Sequence, residues 1–245
     1  MIIKLVIQYD GTNYYGFQHQ DNLINIEDEL VKAINNIDKT VNKVYGSGRT
    51  DRYVHAKGQV VHFETNIEIE DFRWMISINS FLPQDIRIIS VKHEVDSFHA
   101  RFNALGKRYS YLIKTKNYSV FDRNYYGNYP NINLELMDDA IKELIGEHDF
   151  KGFCSSKINE LKSTIRTIYE ANIINHKDYI EIAFYGNGFL RYQIRKMVGS
   201  LIDVGMQKLS KEDFIKIITS KDPKLSNKNA QAQGLYLMEV IYEGE

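Results

Sequence analysis

The strongest constraint on the fold is the order of the apolar patterns along the chain, which reads β-α-β-β-α-β and then repeats that order. Residues 2–9 place Ile3, Leu5, Ile7 and Tyr9 on one face and Ile2, Val6 and Gln8 on the other. Both faces are largely apolar, which predicts a central strand. Leu30, Ala33, Ile34 and Ile37 recur at helical spacing. Asn25 is placed to cap that helix, with Glu27 and Asp28 in its first turn, where the helix dipole favours acids. A short strand at 42–46, an alternating strand at 58–65, a helix at 70–80 and a strand at 86–94 complete the first set.

The chain crosses over between Asp96 and Asn103. The second set begins with a strand at 105–116, carrying Tyr109, Tyr111 and Ile113 on one face. A helix at 134–145 follows, with Leu136, Ala140, Leu144 and Ile145 as its apolar stripe. Strands at 163–175 and 178–186 face each other across Asn175-His176-Lys177-Asp178. A long helix over 189–205 (Leu190, Ile194, Met197, Leu201), a short helix at 210–219 and a strand at 235–243 end the pattern. The prediction is an α+β protein of two ferredoxin-like halves, residues 1–98 and 99–245, with antiparallel-rich sheets side by side and a central basic cleft. The repeat is one of element order, with no visible identity between the halves.

Composition narrows the function classes. A single cysteine, Cys154, excludes an intrachain disulfide and a cysteine-based metal cluster. No apolar run approaches the roughly 20 residues of a membrane span, and the first residues read as a strand, so a cytoplasmic protein without a membrane partner is expected. The net charge of -1 means that any nucleic-acid binding rests on local clusters of cations. Seven histidines are dispersed without metal-ligand spacing, so no metal is expected. Gly46 and Gly48 do not extend into a phosphate-binding pattern, so no cofactor is expected.

The segment Gly46-Ser47-Gly48-Arg49-Thr50-Asp51-Arg52-Tyr53-Val54-His55-Ala56-Lys57-Gly58-Gln59 stands between two predicted strands. It mixes glycine, both signs of charge, a hydroxyl and an imidazole. Two glycines permit a tight turn that presents Arg49 and Asp51 at the mouth of a pocket. On physical grounds alone, a polar hairpin loop with a surface ion pair explains it equally well.

Gly48-Arg49-Thr50-Asp51, then Val54-His55-Ala56 and Gly58-Gln59-Val60-Val61-His62-Phe63, resembles the signature loop of the tRNA pseudouridine synthase A (TruA) family. Further likenesses follow in the same order over nearly the whole chain. They are Asp10-Gly11 with Tyr14-Tyr15-Gly16-Phe17-Gln18, Phe98-His99-Ala100-Arg101-Phe102-Asn103, Lys107-Arg108-Tyr109, Arg195-Lys196-Met197-Val198-Gly199-Ser200-Leu201 and Gly234-Leu235-Tyr236-Leu237. The resemblance implies an isomerase that turns uridine into pseudouridine in tRNA, in the anticodon stem-loop, without cofactor and as a homodimer, with no DNA partner. It makes Asp51 the catalytic nucleophile or base, assisted by Arg49 and by Arg195. Tyr109 becomes the ring that holds the flipped base, and Leu235 part of the pocket wall. Arg52, Lys57, Arg101, Lys107, Arg108 and Arg191 become candidate phosphate contacts. One departure stands beside Asp51: Arg52-Tyr53 replace the family's usual Ala-Gly, so a turn requiring positive φ would strain Tyr53.

Two other classes fit parts of the pattern. A non-catalytic RNA-binding or chaperone protein would use the same basic residues without turnover. A metal-dependent hydrolase would pair Asp51 with Asp10, and would be sensitive to chelators.

Overall fold

The structure, a computed structural model, describes residues 1–155, 163–226 and 228–244. The chain is α+β and forms two compact units, Met1–Leu105 with Tyr236–Glu245, and Gly106–Leu235. Among the described residues no helix is long and apolar enough to cross a membrane.

The first unit runs β1 (Ile2–Tyr9), α1 (Ile26–Asn35), β2 (Tyr45–Gly46), β3 (His55–Glu64), α2 (Asp71–Phe81) and β4 (Ile86–Glu94). Strand β1 lies between β3 and β4, antiparallel to both, which explains its two apolar faces. Asn25 caps α1 as expected, its side chain accepting from the Asp28 N–H at 2.9 Å. Leu30, Ala33 and Ile34 are fully buried, and Trp74 of α2 meets the Phe63 ring of β3 edge-on at 5.4 Å.

The second unit runs β5 (Gly106–Lys114), β6 (Gly127–Asn128), α3 (Leu134–Ile141), β7 (Gly146–Asp149), β8 (Ile165–Asn175), β9 (Ile180–Gly186), α4 (Gln193–Gly205) and α5 (Lys211–Ser220). Its sheet has the order β5-β9-β8-β7, antiparallel throughout, with β6 parallel beside β5. The short β6 and β7 were not expected. Helix α3 ends in a 3-10 turn at Lys142–Leu144. Its buried stripe is Met137, Ala140, Ile141 and Leu144, whereas Leu136 and Ile145 are exposed. Ala140 and Leu144 of the expected stripe are buried, but Met137 and Ile141 take the places of Leu136 and Ile145, because Leu136 and Met137 are both apolar and the pattern alone does not choose between them.

Two boundaries differ from expectation for physical reasons. Helix α4 starts at Gln193 rather than 189, because Tyr192 takes a left-handed conformation at φ 66°. The chain ends with β10 (Leu235–Ile241), which had been counted with the second set. From Tyr236 onward its residues belong to the first unit, where they pair in parallel with β3, Tyr236 opposite His55 and Leu237 opposite Ala56. That pairing also explains why β3 begins at His55, three residues before the predicted start.

Candidate active site

Asp51 sits half-buried on a tight turn immediately before β3. Its carbonyl accepts from the Val54 N–H at 3.1 Å, leaving Arg52 and Tyr53 at the corner. Tyr53 has φ 67°, the left-handed conformation that glycine adopts freely and that costs a side-chain-bearing residue about 1 kcal/mol. The departure noted in the sequence therefore carries real strain, and both corner side chains are exposed.

What holds the turn in place is the loop after β1. Gly16, at φ 97°, lies against the turn so closely that a Cβ there would come 2.6 Å from the Thr50 carbonyl oxygen. A Cβ on Gly11 would come 2.1 Å from the carbonyl oxygen of Val54. The backbone on either side of Asp51 is thus clasped by two glycines. The Thr50 carbonyl accepts from the Phe17 N–H at 3.2 Å. Inside, the Thr50 hydroxyl meets the Tyr9 hydroxyl at 2.8 Å. Burial raises the Tyr9 phenol above its ordinary range, so it stays protonated. Buried Gln59 donates from Nε2 to the Gly48 carbonyl at 2.8 Å.

His55 adds a longer tie. Its Nδ1 accepts from the Gly11 N–H at 3.1 Å, and its ring stacks on Tyr236 at 4.7 Å. Asp10 caps the turn after β1 by accepting from the Thr12 N–H at 2.9 Å, and its Oδ1 lies 3.2 Å from His55 Nδ1. The Asp10-Gly11 and Tyr14–Phe17 segments are therefore the mount of the Asp51 loop. The sequence reading quoted these segments only as likenesses and gave them no catalytic role. The two glycines within them were the available signal.

The first unit brings Arg49, Asp51 and Arg52 onto one loop, with Arg49 and Arg52 exposed. The Arg52 guanidinium packs against the Tyr15 and Tyr53 rings, at 4.2 and 4.4 Å. Lys57 is exposed on β3, with its ammonium 5.8 Å from the Tyr236 ring. Arg101 is exposed beside Phe102.

In the second unit, Tyr109 lies on β5, 7% exposed, and meets Phe189 edge-on at 5.3 Å. The sequence reading gave Phe189 no role. Lys107 shares the Tyr109 face of β5, whereas Arg108 takes the opposite face by strand alternation. There Arg108 pairs with Glu170 at 3.1 Å and lies 4.3 Å from the Tyr185 ring. Arg191 precedes α4 instead of lying on it and donates to the Tyr192 hydroxyl at 3.1 Å. Arg195, on the first turn of α4, donates from Nε to the Ala230 carbonyl at 2.9 Å, and the Ala230 N–H returns a bond to the Arg195 carbonyl at 2.8 Å. Burial raises the phenol of Tyr111, the neighbour of Tyr109 on the same strand face, well above its ordinary range, and the Arg195 charge opposes that rise. Lys196 is buried, donates to the Pro223 carbonyl and the Ser226 hydroxyl, and is a packing residue. Leu235 is 6% exposed at the start of β10.

The profile of the tRNA pseudouridine synthase family matches residues 5–103 and 140–243. The chain belongs to that family. Its similarity to individual members spans almost the full length of both partners. It is 40% identical to tRNA pseudouridine synthase A 1 of Bacillus cereus over 243 residues, 98% of each chain. It is 41% identical to tRNA pseudouridine synthase A of Listeria monocytogenes over 246 residues, and 39% identical to that of Anoxybacillus flavithermus over 243, again 98% of each. Among solved structures, a Cbf5-Nop10-Gar1 complex is similar to 87% of this chain and 44% of its own, at TM-score 0.36 and 12% identity, too distant to bear on the site. As a member of the pseudouridine synthase family, the chain is an isomerase acting on tRNA.

Proposed function

We propose that this chain isomerises uridine to pseudouridine in the anticodon stem-loop of tRNA, with Asp51 as nucleophile or base. The observation that carries the reading is the mounting of Asp51. A half-buried carboxylate stands on a strained turn, fixed by Gly11 and Gly16 on one side and by the Tyr9–Thr50 hydroxyl pair beneath. Backbone contacts from a separate loop on both sides of one carboxylate are what a positioned group requires.

In the proposed reaction, the target uridine leaves its stack. Asp51 either attacks the sugar at C1′ or removes a sugar proton, and the C1′–N1 bond breaks. The freed uracil turns against Tyr109 and C5 bonds to C1′, displacing the Asp51 carboxylate from C1′ in the first route, or with Asp51 returning the sugar proton in the second; the C5 proton then departs and N1 gains one. Bonds and protons balance, so neither oxidant nor hydrolytic water is consumed. Tyr109 is the candidate to take the C5 proton. Arg195 and Arg49 supply the positive charge that keeps Asp51 ionised. Leu235 contributes apolar wall, and Arg52, Lys57, Arg101, Lys107, Arg108 and Arg191 hold phosphates. The opposite strand face and the Glu170 partner make Arg108 the member of this set expected to contribute least.

The protein acts as a homodimer in the cytoplasm, on tRNA and not DNA. Light scattering at working concentration checks the dimer, and a monomer mass contradicts it. Nucleoside analysis of a tRNA transcript after incubation checks the reaction: pseudouridine replacing uridine in the anticodon stem-loop is the expected product. Tight RNA binding without product points to the non-catalytic RNA-binding reading instead.

A further inference from the structure

Arg52 and Tyr53 follow Asp51 directly, and both project outward from its turn. The Arg52 guanidinium lies 4.2 Å from the Tyr15 ring centroid and 4.4 Å from that of Tyr53. Tyr15 and Tyr53 are each 37% exposed. Tyr15 comes from the loop that clasps the turn, so the three planar groups are held together by the same backbone contacts that fix Asp51.

Local conformation does not account for Tyr53. Its φ of 67° favours glycine, so a ring at this corner works against the backbone. Core packing does not account for it either, since the residue is exposed. Rings and guanidinium planes in such positions are surfaces on which nucleobases stack. Because the partners of Arg52 among the described residues are rings, not carboxylates, its charge stays available for a phosphate.

We propose that Tyr15, Arg52 and Tyr53 form a stacking shelf for the base of the nucleotide adjoining the isomerised uridine, with Arg52 also holding that nucleotide's phosphate. The inference rests on the reading of Asp51 as the isomerisation site. Extruding one base strips its neighbour of a stacking partner, and the shelf replaces that partner. A purine, with its larger face, is preferred there over a pyrimidine.

The test combines tritium release from a tRNA transcript carrying 5-tritiated uridine with the fluorescence anisotropy of a labelled anticodon stem-loop RNA. Wild type, Tyr53→Gly, Tyr53→Phe and Arg52→Ala are compared. Tyr53→Gly is expected to raise KM and Kd about tenfold, within the range of one lost stacking contact. Its kcat stays within about twofold, and its thermal midpoint rises because the φ strain is relieved. Tyr53→Phe, which keeps the ring, recovers most of the loss. Arg52→Ala weakens binding by a similar factor and flattens its salt dependence.

Wild-type KM and Kd in Tyr53→Gly overturn the shelf, as does a loss accompanied by a lowered thermal midpoint, which marks a structural role. If wild type itself releases no tritium, the isomerase reading fails. The anisotropy then decides the shelf alone: tenfold weaker binding by Tyr53→Gly retains it, and unchanged binding removes it.

Discussion

Gly16 and Thr50 are pressed together: a Cβ on Gly16 would stand 2.6 Å from the Thr50 carbonyl oxygen, the residue immediately before Asp51. The neighbour is backbone and cannot swing away, and Gly16 also has φ 97°. Gly16→Ala therefore displaces the catalytic loop. We expect a loss of about 1–3 kcal/mol in unfolding free energy and a fall in turnover larger than that loss explains. Urea titration and tritium release on the same preparation check both. Normal turnover in a folded variant contradicts the clasp.

The Tyr9–Thr50 hydroxyl pair is buried at 2.8 Å. Tyr9→Phe strands the Thr50 hydroxyl and costs about 1–3 kcal/mol, whereas Thr50→Val leaves the Tyr9 hydroxyl with Gln59 and costs less. Removing both leaves nothing stranded, so the double variant is expected to lose clearly less than the sum. A double-mutant cycle by urea unfolding measures the coupling, and strict additivity rules out a pair that matters.

His62 is expected to limit stability in acid. It is buried, its Nδ1 accepts from the Ala100 N–H at 3.2 Å, and the His99 ring lies 4.7 Å away. Burial first, and then the neighbouring imidazole, push its pKa down from 6.5 to about 4. Between those values the unfolded chain binds a proton that the folded chain refuses. The stability is therefore complete above about pH 6.5 and drains away toward pH 4. In His62→Gln, which keeps an acceptor for Ala100, this slope should flatten. Unfolding midpoints from pH 4 to 8 for both proteins decide it.

Arg195 is held through Nε by the Ala230 carbonyl, a contact that orients a planar guanidinium and that lysine cannot reproduce. Arg195→Lys keeps the charge but not the orientation. Turnover is expected to drop about 100-fold while the affinity for tRNA changes less than threefold. Wild-type turnover in this variant removes Arg195 from the reaction.

Much of this was legible in the residues, because period and capping are local. Both edges of β1 and β4, the C-terminal edges of β8 and β9, and the Asn25 cap of α1 follow from alternation and side-chain chemistry within a few positions. What was not legible depends on contacts distant in sequence. His55 reads as a loop residue until Tyr236 pairs with it, 181 positions on by their residue numbers. Lys4 reads as polar, yet it is 3% exposed, with its ammonium 4.2 Å from the Tyr242 ring. The start of α4 depends on one left-handed residue, Tyr192, that no periodicity announces. In the candidate site, the motif singles out Asp51 in the sequence, whereas the clasp by Gly11 and Gly16 and the contact of Phe189 with Tyr109 join segments far apart in the chain.

The most direct test of the central claim is tritium release from tRNA carrying 5-tritiated uridine, with wild type and Asp51→Ala side by side and no added metal. Release by wild type and none by Asp51→Ala, with comparable tRNA binding by both, is the predicted result. Equal release by the two proteins would contradict the assignment of the chemistry to Asp51.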